Sequence, residues 1–155
     1  MRQIKLIFIP AVLLALAFPG AALAQGQPTK AEQALKYRKA VYQAMAWNFT
    51  PMGAMSQGKA PFDAAEFSMR AARVAALAPM LAESYSAESR GVAGSKAKAE
   101  IWTNRGDFDA KMKDLVDRSA TLAKVAAGGD EAQSKAAFFD TANACKACHD
   151  KFKAD

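Results

Sequence analysis

Histidine and cysteine are nearly absent from this chain: one His and two Cys in 155 residues, all three between positions 145 and 149. A closed structural zinc site, which takes four such ligands, is thereby excluded. So is any pair of histidines from one chain on one metal. Strand signals are also scarce. Beyond its N-terminus the sequence is rich in Ala, Lys, Met and Glu and poor in runs of Ile, Thr and Val, which removes the βαβ setting of a thioredoxin-like C-x-x-C. The apolar stretch 6–18, broken by Pro10, falls short of the ~20 residues that span a bilayer. The net charge is +6, yet no basic run is interleaved with aromatics, so nucleic acid is not an expected partner. Lys96 with Lys98, and Lys151 with Lys153, read as solvated faces. The positive balance favours solubility and steering toward acidic partners.

What is present is concentrated in Cys145-Lys146-Ala147-Cys148-His149. C-x-x-C-H is the attachment site of c-type haem: two thiols add to the porphyrin vinyl groups and the adjacent imidazole ligates the iron. On a helix, Cys145, Cys148 and His149 stand at i, i+3 and i+4 and share one face. A plain disulfide would have no need of the histidine. The expected cofactor is one haem c, covalent through Cys145 and Cys148, with His149 as the metal ligand.

The N-terminus fits that chemistry. Arg2 and Lys5 form a basic n-region, 6–18 an apolar core, and Ala22-Leu23-Ala24 the A-x-A pattern of a signal-peptidase site. No cysteine adjoins the cleavage point, so no lipid anchor is expected. Residues 1–24 read as a cleaved signal peptide and 25–155 as one domain, long enough to bury a core. Bacteria attach haem to C-x-x-C-H outside the cytoplasmic membrane, so the expected location is the periplasm, with no membrane anchor after cleavage.

Periodicity and punctuation divide the domain into four helices. The first is expected over 29–54, with Leu35, Arg38, Tyr42, Met45, Phe49 and Met52 spaced by threes and fours along one face. Pro51 is expected to bend or loosen its last turn. The second runs over 63–85 from Asp63, with Phe67, Ala71, Val74, Leu77 and Leu81 inward and a kink at Pro79. A Gly-, Ser- and Lys-rich connection over 86–105 is long for a compact domain, and Trp102 is expected to pin it to the body. The third helix covers 107–127, with Phe108, Met112, Leu115, Leu122 and Val125 inward. Gly128-Gly129 ends it, and Asp130 caps a fourth helix, with Gln133 placed for a capping box. That last helix carries Phe138, Ala142, Cys145, His149 and Phe152 on one stripe. The fold class is therefore all-α: a four-helix bundle with covalently attached c-type haem.

With the haem motif so near the C-terminus, the chain resembles the class II c-type cytochromes, the cytochrome c-prime family. Class I cytochromes carry the motif near the N-terminus and supply a methionine from far downstream. Lys36-Tyr37-Arg38, Gly58-Lys59-Ala60-Pro61-Phe62-Asp63, Glu100-Ile101-Trp102 and Cys148-His149-Asp150-Lys151-Phe152-Lys153 add to the likeness. The resemblance implies an antiparallel four-helix bundle that often forms a homodimer through its first two helices, and an iron bound by His149 on one side only. It places Arg38 near a haem propionate. Lys153 falls where several relatives carry arginine beside the proximal histidine, and lysine lacks the planar five-donor fork.

The sixth iron position separates two functions. In low-spin relatives a methionine follows the arginine of Y-R-x-x-x-M; here Tyr37-Arg38-Lys39-Ala40-Val41-Tyr42 puts Tyr42 there. High-spin relatives carry a bulky, non-ligating residue at that point, and Tyr42 suits the role of a steric gate. A tyrosine ligand, as in catalase, would need a phenolate far below its usual pKa of about 10. Met45 lies on the same face and is the alternative ligand, which would make the protein a low-spin electron carrier. Phe49 is expected to line the apolar pocket. The resemblance implies binding of NO and CO in preference to O2, hence nitric oxide buffering, and the electron-transfer reading adds a redox partner protein. No distal His and Arg pair exists for peroxide cleavage, so the chain does not read as an enzyme.

Overall fold

A computed structural model describes residues 27–154. The expected leader 1–24, with its cleavage point, lies outside them. The described residues form α1 (Lys30–Ser56), α2 (Ala64–Leu77), α3 (Met80–Glu83), α4 (Glu100–Thr103), α5 (Arg105–Ala126) and α6 (Glu131–Phe152). The long helices α1, α2, α5 and α6 make the four-helix bundle; α3 and α4 are single turns in the connection between its halves.

The caps are local chemistry. Thr29 accepts from the Glu32 amide at 3.2 Å while the Glu32 carboxylate accepts from the Thr29 amide at 2.7 Å, a complete capping box. Asp63 and Asp130 accept from Glu66 and Gln133 amides at the starts of α2 and α6, each at 2.8 Å. At α6 only the aspartate half of the expected box forms.

The two inner prolines behave differently. Pro51 does not end α1, which continues to Ser56. A proline cannot donate to the carbonyl four residues back, and the freed Trp47 carbonyl accepts instead from the Arg70 guanidinium at 3.1 Å. Pro79 splits the expected second helix: α2 stops at Leu77 and α3 starts at Met80. The ring removes the donor for the Ala75 carbonyl, and no side chain replaces it within this turn.

The core joins all four long helices. Phe67, Val74, Leu81, Phe108 and Leu122 are buried, with Phe67 between Phe62 and Phe138. Val125 is only half-buried and Ala126 takes the inward position. Leu77 is likewise partly buried. At one end α1 meets α6 closely. A Cβ on Gly53 would come within 3.3 Å of the Phe138 ring, and Phe49 stacks on Phe138 with centroids 4.4 Å apart. Elsewhere α5 packs along α6 and α2 along α5, while α1 and α6 make little direct contact. That leaves a slot between the first and last helices.

The 86–105 connection is better fixed than its composition predicts. Trp102 donates from Nε1 to the Ser86 carbonyl at 2.9 Å, which closes the connection on itself, while its ring, 6.3 Å from that of Tyr85, packs against the core and pins the segment to the body. Further along, residues 96–98 pair with the C-terminus. Ala97 and Lys153 form an antiparallel bridge, Lys98 N donates to Phe152 O at 3.0 Å, and Ala154 N donates to Lys96 O at 2.8 Å. The segment becomes a strap across one mouth of the slot.

Candidate haem site

Helix α6 lines the slot with Cys145, Cys148 and His149, the last of them at its rim and exposed to solvent. Both thiols are free and half-buried. Burial pushes both above the usual thiol pKa, for Cys145 with help from Cys148. Burial, then the Lys153 charge, pulls His149 below its ordinary value, which favours the neutral imidazole that ligates metal. Among the described residues no cluster of three or more His, Cys, Asp or Glu side chains is placed to hold a metal ion. His149 is thus a lone donor, suited to a metal that brings its other ligands with it.

Two cavities make up the slot. The larger, ≈ 490 Å³, is lined among others by Arg38, Lys39, Tyr42, Tyr85, Gly94, Ser95, Lys96, Ala97, Phe108, Cys148, His149 and Phe152. The smaller, ≈ 230 Å³, is lined by Tyr42, Met45, Phe49, Val74, Leu81, Met112, Leu115, Cys145, Cys148 and His149, with others. Tyr42, Ala46, Cys148 and His149 line both. Every residue singled out from the sequence, Arg38, Tyr42, Met45, Phe49, Cys145, Cys148 and His149, borders this space.

Arg38 is almost fully buried, at 4% exposure. Its guanidinium donates to Ser84 O (2.6 Å), Ser84 Oγ (3.2 Å), Ser89 Oγ (3.1 Å) and Ser95 Oγ (3.1 Å), and lies 3.9 Å over the Tyr85 ring. Every one of these acceptors is neutral, and no carboxylate pairs with it among the described residues. A buried cation left without an anion is costly, so the larger cavity suits a ligand carrying acidic groups. Thiols and an imidazole on one helix face, apolar walls and an unbalanced buried cation together fit a haem.

Across the slot, the Tyr42 hydroxyl lies 3.3 Å from that of Tyr85. Burial first, then Tyr85, raises the Tyr42 pKa well above the ordinary phenol value. A phenolate ligand would need the opposite shift. Tyr85 was not singled out by the sequence. It stands at the edge of an expected helix, and its partners Arg38, Tyr42, Arg105 and Phe108 come together only through the tertiary fold. The strap residues Gly94–Ala97 were missed for the same reason. The nearest signal was the abnormal length of the connection. Ala46, one turn after Tyr42, was missed because alanine carries no chemical signature.

A helical bundle with a C-x-x-C-H face on its last helix, opening on an apolar slot with a buried arginine, defines a c-type haem protein. The model of the family described as Cytochrome C' matches residues 33–153. Cytochrome c' of Alcaligenes xylosoxydans xylosoxydans is 35% identical over 127 residues, covering 82% of this chain and 98% of the relative. The structure of cytochrome c prime from Shewanella frigidimarina superposes with a TM-score of 0.78 at 43% identity, covering 84% of this chain and all of the other. A nitric oxide complex of a variant of the Alcaligenes xylosoxidans protein gives 0.76 at 30% identity, covering 83% of this chain and 100% of that one. The chain belongs to the cytochrome c' family, and its cofactor is haem c.

Proposed function

We propose that this chain is a periplasmic haem protein that binds nitric oxide and carbon monoxide at an iron with a single protein ligand. In this reading Cys145 and Cys148 would hold the porphyrin by thioether bonds, His149 would ligate the iron, and Arg38 would face a propionate. The haem, when bound, supplies the iron at which a diatomic gas coordinates. The observation that carries the reading is that Tyr42, and not a methionine, lines both cavities together with His149. A neutral phenol is a poor ligand, so Tyr42 covers the open side without filling it. Phe49 and Met45 keep that side apolar, and Ala46 leaves room beside the ring.

With His149 the only histidine, no distal imidazole stabilises bound O2, which favours NO and CO. The nitric oxide complex of the Alcaligenes variant supports the same class of ligand. The 1–24 leader supports export. Among the described residues no helix is long and apolar enough to cross a membrane. Trp47 on α1 and Met69 on α2, exposed at 75% and 42%, support pairing of two chains through these helices. Lysines around the cavity mouth, Lys39, Lys96 and Lys153, support docking of an acidic redox partner. The absence of a distal His and Arg pair argues against peroxide turnover.

One observation favours a second reading. Met45 lines the smaller cavity with His149, and its sulfur as sixth ligand would make the protein a low-spin electron carrier. Titration of the ferrous protein with NO, followed by absorbance, separates the two. Immediate, stoichiometric spectral change supports the open site. Slow change limited by release of a side chain supports Met45.

A further inference from the structure

We infer that Tyr85 is a positioning residue for the distal gate: its hydroxyl tethers the Tyr42 ring and so sets the rate at which a gas reaches the iron. The inference rests on the reading of Tyr42 as a gate and names the group that holds it shut.

Three observations carry it. The two hydroxyls are 3.3 Å apart in a partly buried setting, where water competes poorly for the bond. Tyr85 is itself immobilised. It is 6% exposed, the Arg38 guanidinium lies 3.9 Å over its ring, and Phe108 meets it edge-on at 4.8 Å. Its carbonyl accepts from Arg105 at 2.7 Å. Tyr42 by contrast is only half-buried and has cavity on two sides, which gives its ring somewhere to move. A fixed partner and a movable one make the hydrogen bond a latch.

Opening the gate then breaks one hydrogen bond between neutral groups. Such a bond, at about 1 kcal/mol net, corresponds to roughly a 5-fold change in rate. Tyr85→Phe removes the hydroxyl while keeping the ring beneath Arg38, and Tyr42→Phe removes the other half of the same bond. CO association to the ferrous haem protein is measured by flash photolysis for wild type, each single variant and the double variant. The inference expects each single variant to associate roughly 5-fold faster and the double variant to gain no more than one of them. Unchanged rates, or gains that multiply, overturn it.

Urea unfolding of the same four holoproteins is the second readout. A favourable coupling between the two hydroxyls is expected, and its absence overturns the tether whatever occupies the sixth iron position. The two failures are distinguishable. A low-spin wild-type spectrum sinks the open-site reading, whereas a high-spin spectrum with an unaltered Tyr85→Phe rate sinks the tether alone.

Discussion

Tyr42 of α1 and His149 of α6 line the same two cavities from two helices that make little direct contact. The slot between those helices is kept open at one end while Gly53 and Phe49 close the other against Phe138. In the proposed reading, an imidazole on one wall and a neutral phenol on another would give an iron one donor and one lid, the asymmetry that gas binding calls for.

Tyr42→Ala removes the lid. CO and NO association should rise by roughly tenfold or more, the effect of lowering a barrier by about 1.4 kcal/mol. Stopped-flow mixing of the ferrous variant measures it, and an unchanged rate would count against the gate.

Arg38→Met removes a buried cation whose anionic partner is expected to be the haem itself. Loss of the cation would leave a propionate without its partner, and it frees Ser84, Ser89 and Ser95 from their donor. Breaking a buried pair costs on the order of 3 kcal/mol, so urea unfolding of the holoprotein should show a markedly lower midpoint. A midpoint within error of wild type would remove the propionate assignment.

Phe67→Ala opens a hole at the centre of the bundle. Phe67 is fully buried between Phe62 and Phe138, and Phe-to-Ala changes at such sites cost about 3–5 kcal/mol. Thermal unfolding followed by far-UV circular dichroism reads the loss.

Trp47→Asp places a charge on the exposed stripe of α1. If two chains pair through α1 and α2, a central tryptophan contributes about 2 kcal/mol or more, and the dimer should weaken at least roughly 30-fold. Sedimentation velocity over a concentration series decides it; an unaltered distribution would move the interface elsewhere.

Asp107 pairs with Lys151 at 2.8 Å and joins the start of α5 to the end of α6. The Lys151 hydrogen bond holds the carboxyl below its ordinary pKa. A carboxylate depressed on folding stabilises the protein above its unfolded pKa and loses that contribution as pH falls through the folded value. Asp107→Asn should therefore be less stable than wild type at neutral pH, with the gap closing in acid. The pair is partly exposed, so salt should also shrink the gap.

The parts legible in the sequence were those written in local spacing. Cys145, Cys148 and His149 are one turn of one helix, so five letters fix their common face. The seam Arg38, Tyr42, Met45, Phe49 is likewise a single-helix pattern, and all four border the slot. What escaped was assembled across distance. The Tyr42–Tyr85 bond links residues 43 apart in the chain, and the strap at 96–98 reaches its partners only through the C-terminus. The prolines show the limit of a local rule. Pro51 and Pro79 have the same missing donor, yet Arg70 compensates the first and nothing in its own turn compensates the second.

The most direct test of the central claim is the absorption spectrum of the purified haem protein, ferric and ferrous, before any ligand is added. The account predicts high-spin spectra in both states, with no sharp α and β bands in the ferrous form, because no side chain occupies the sixth position behind Tyr42. A low-spin ferrous spectrum with sharp α and β bands would contradict it and place a ligand, Met45 first, on the iron.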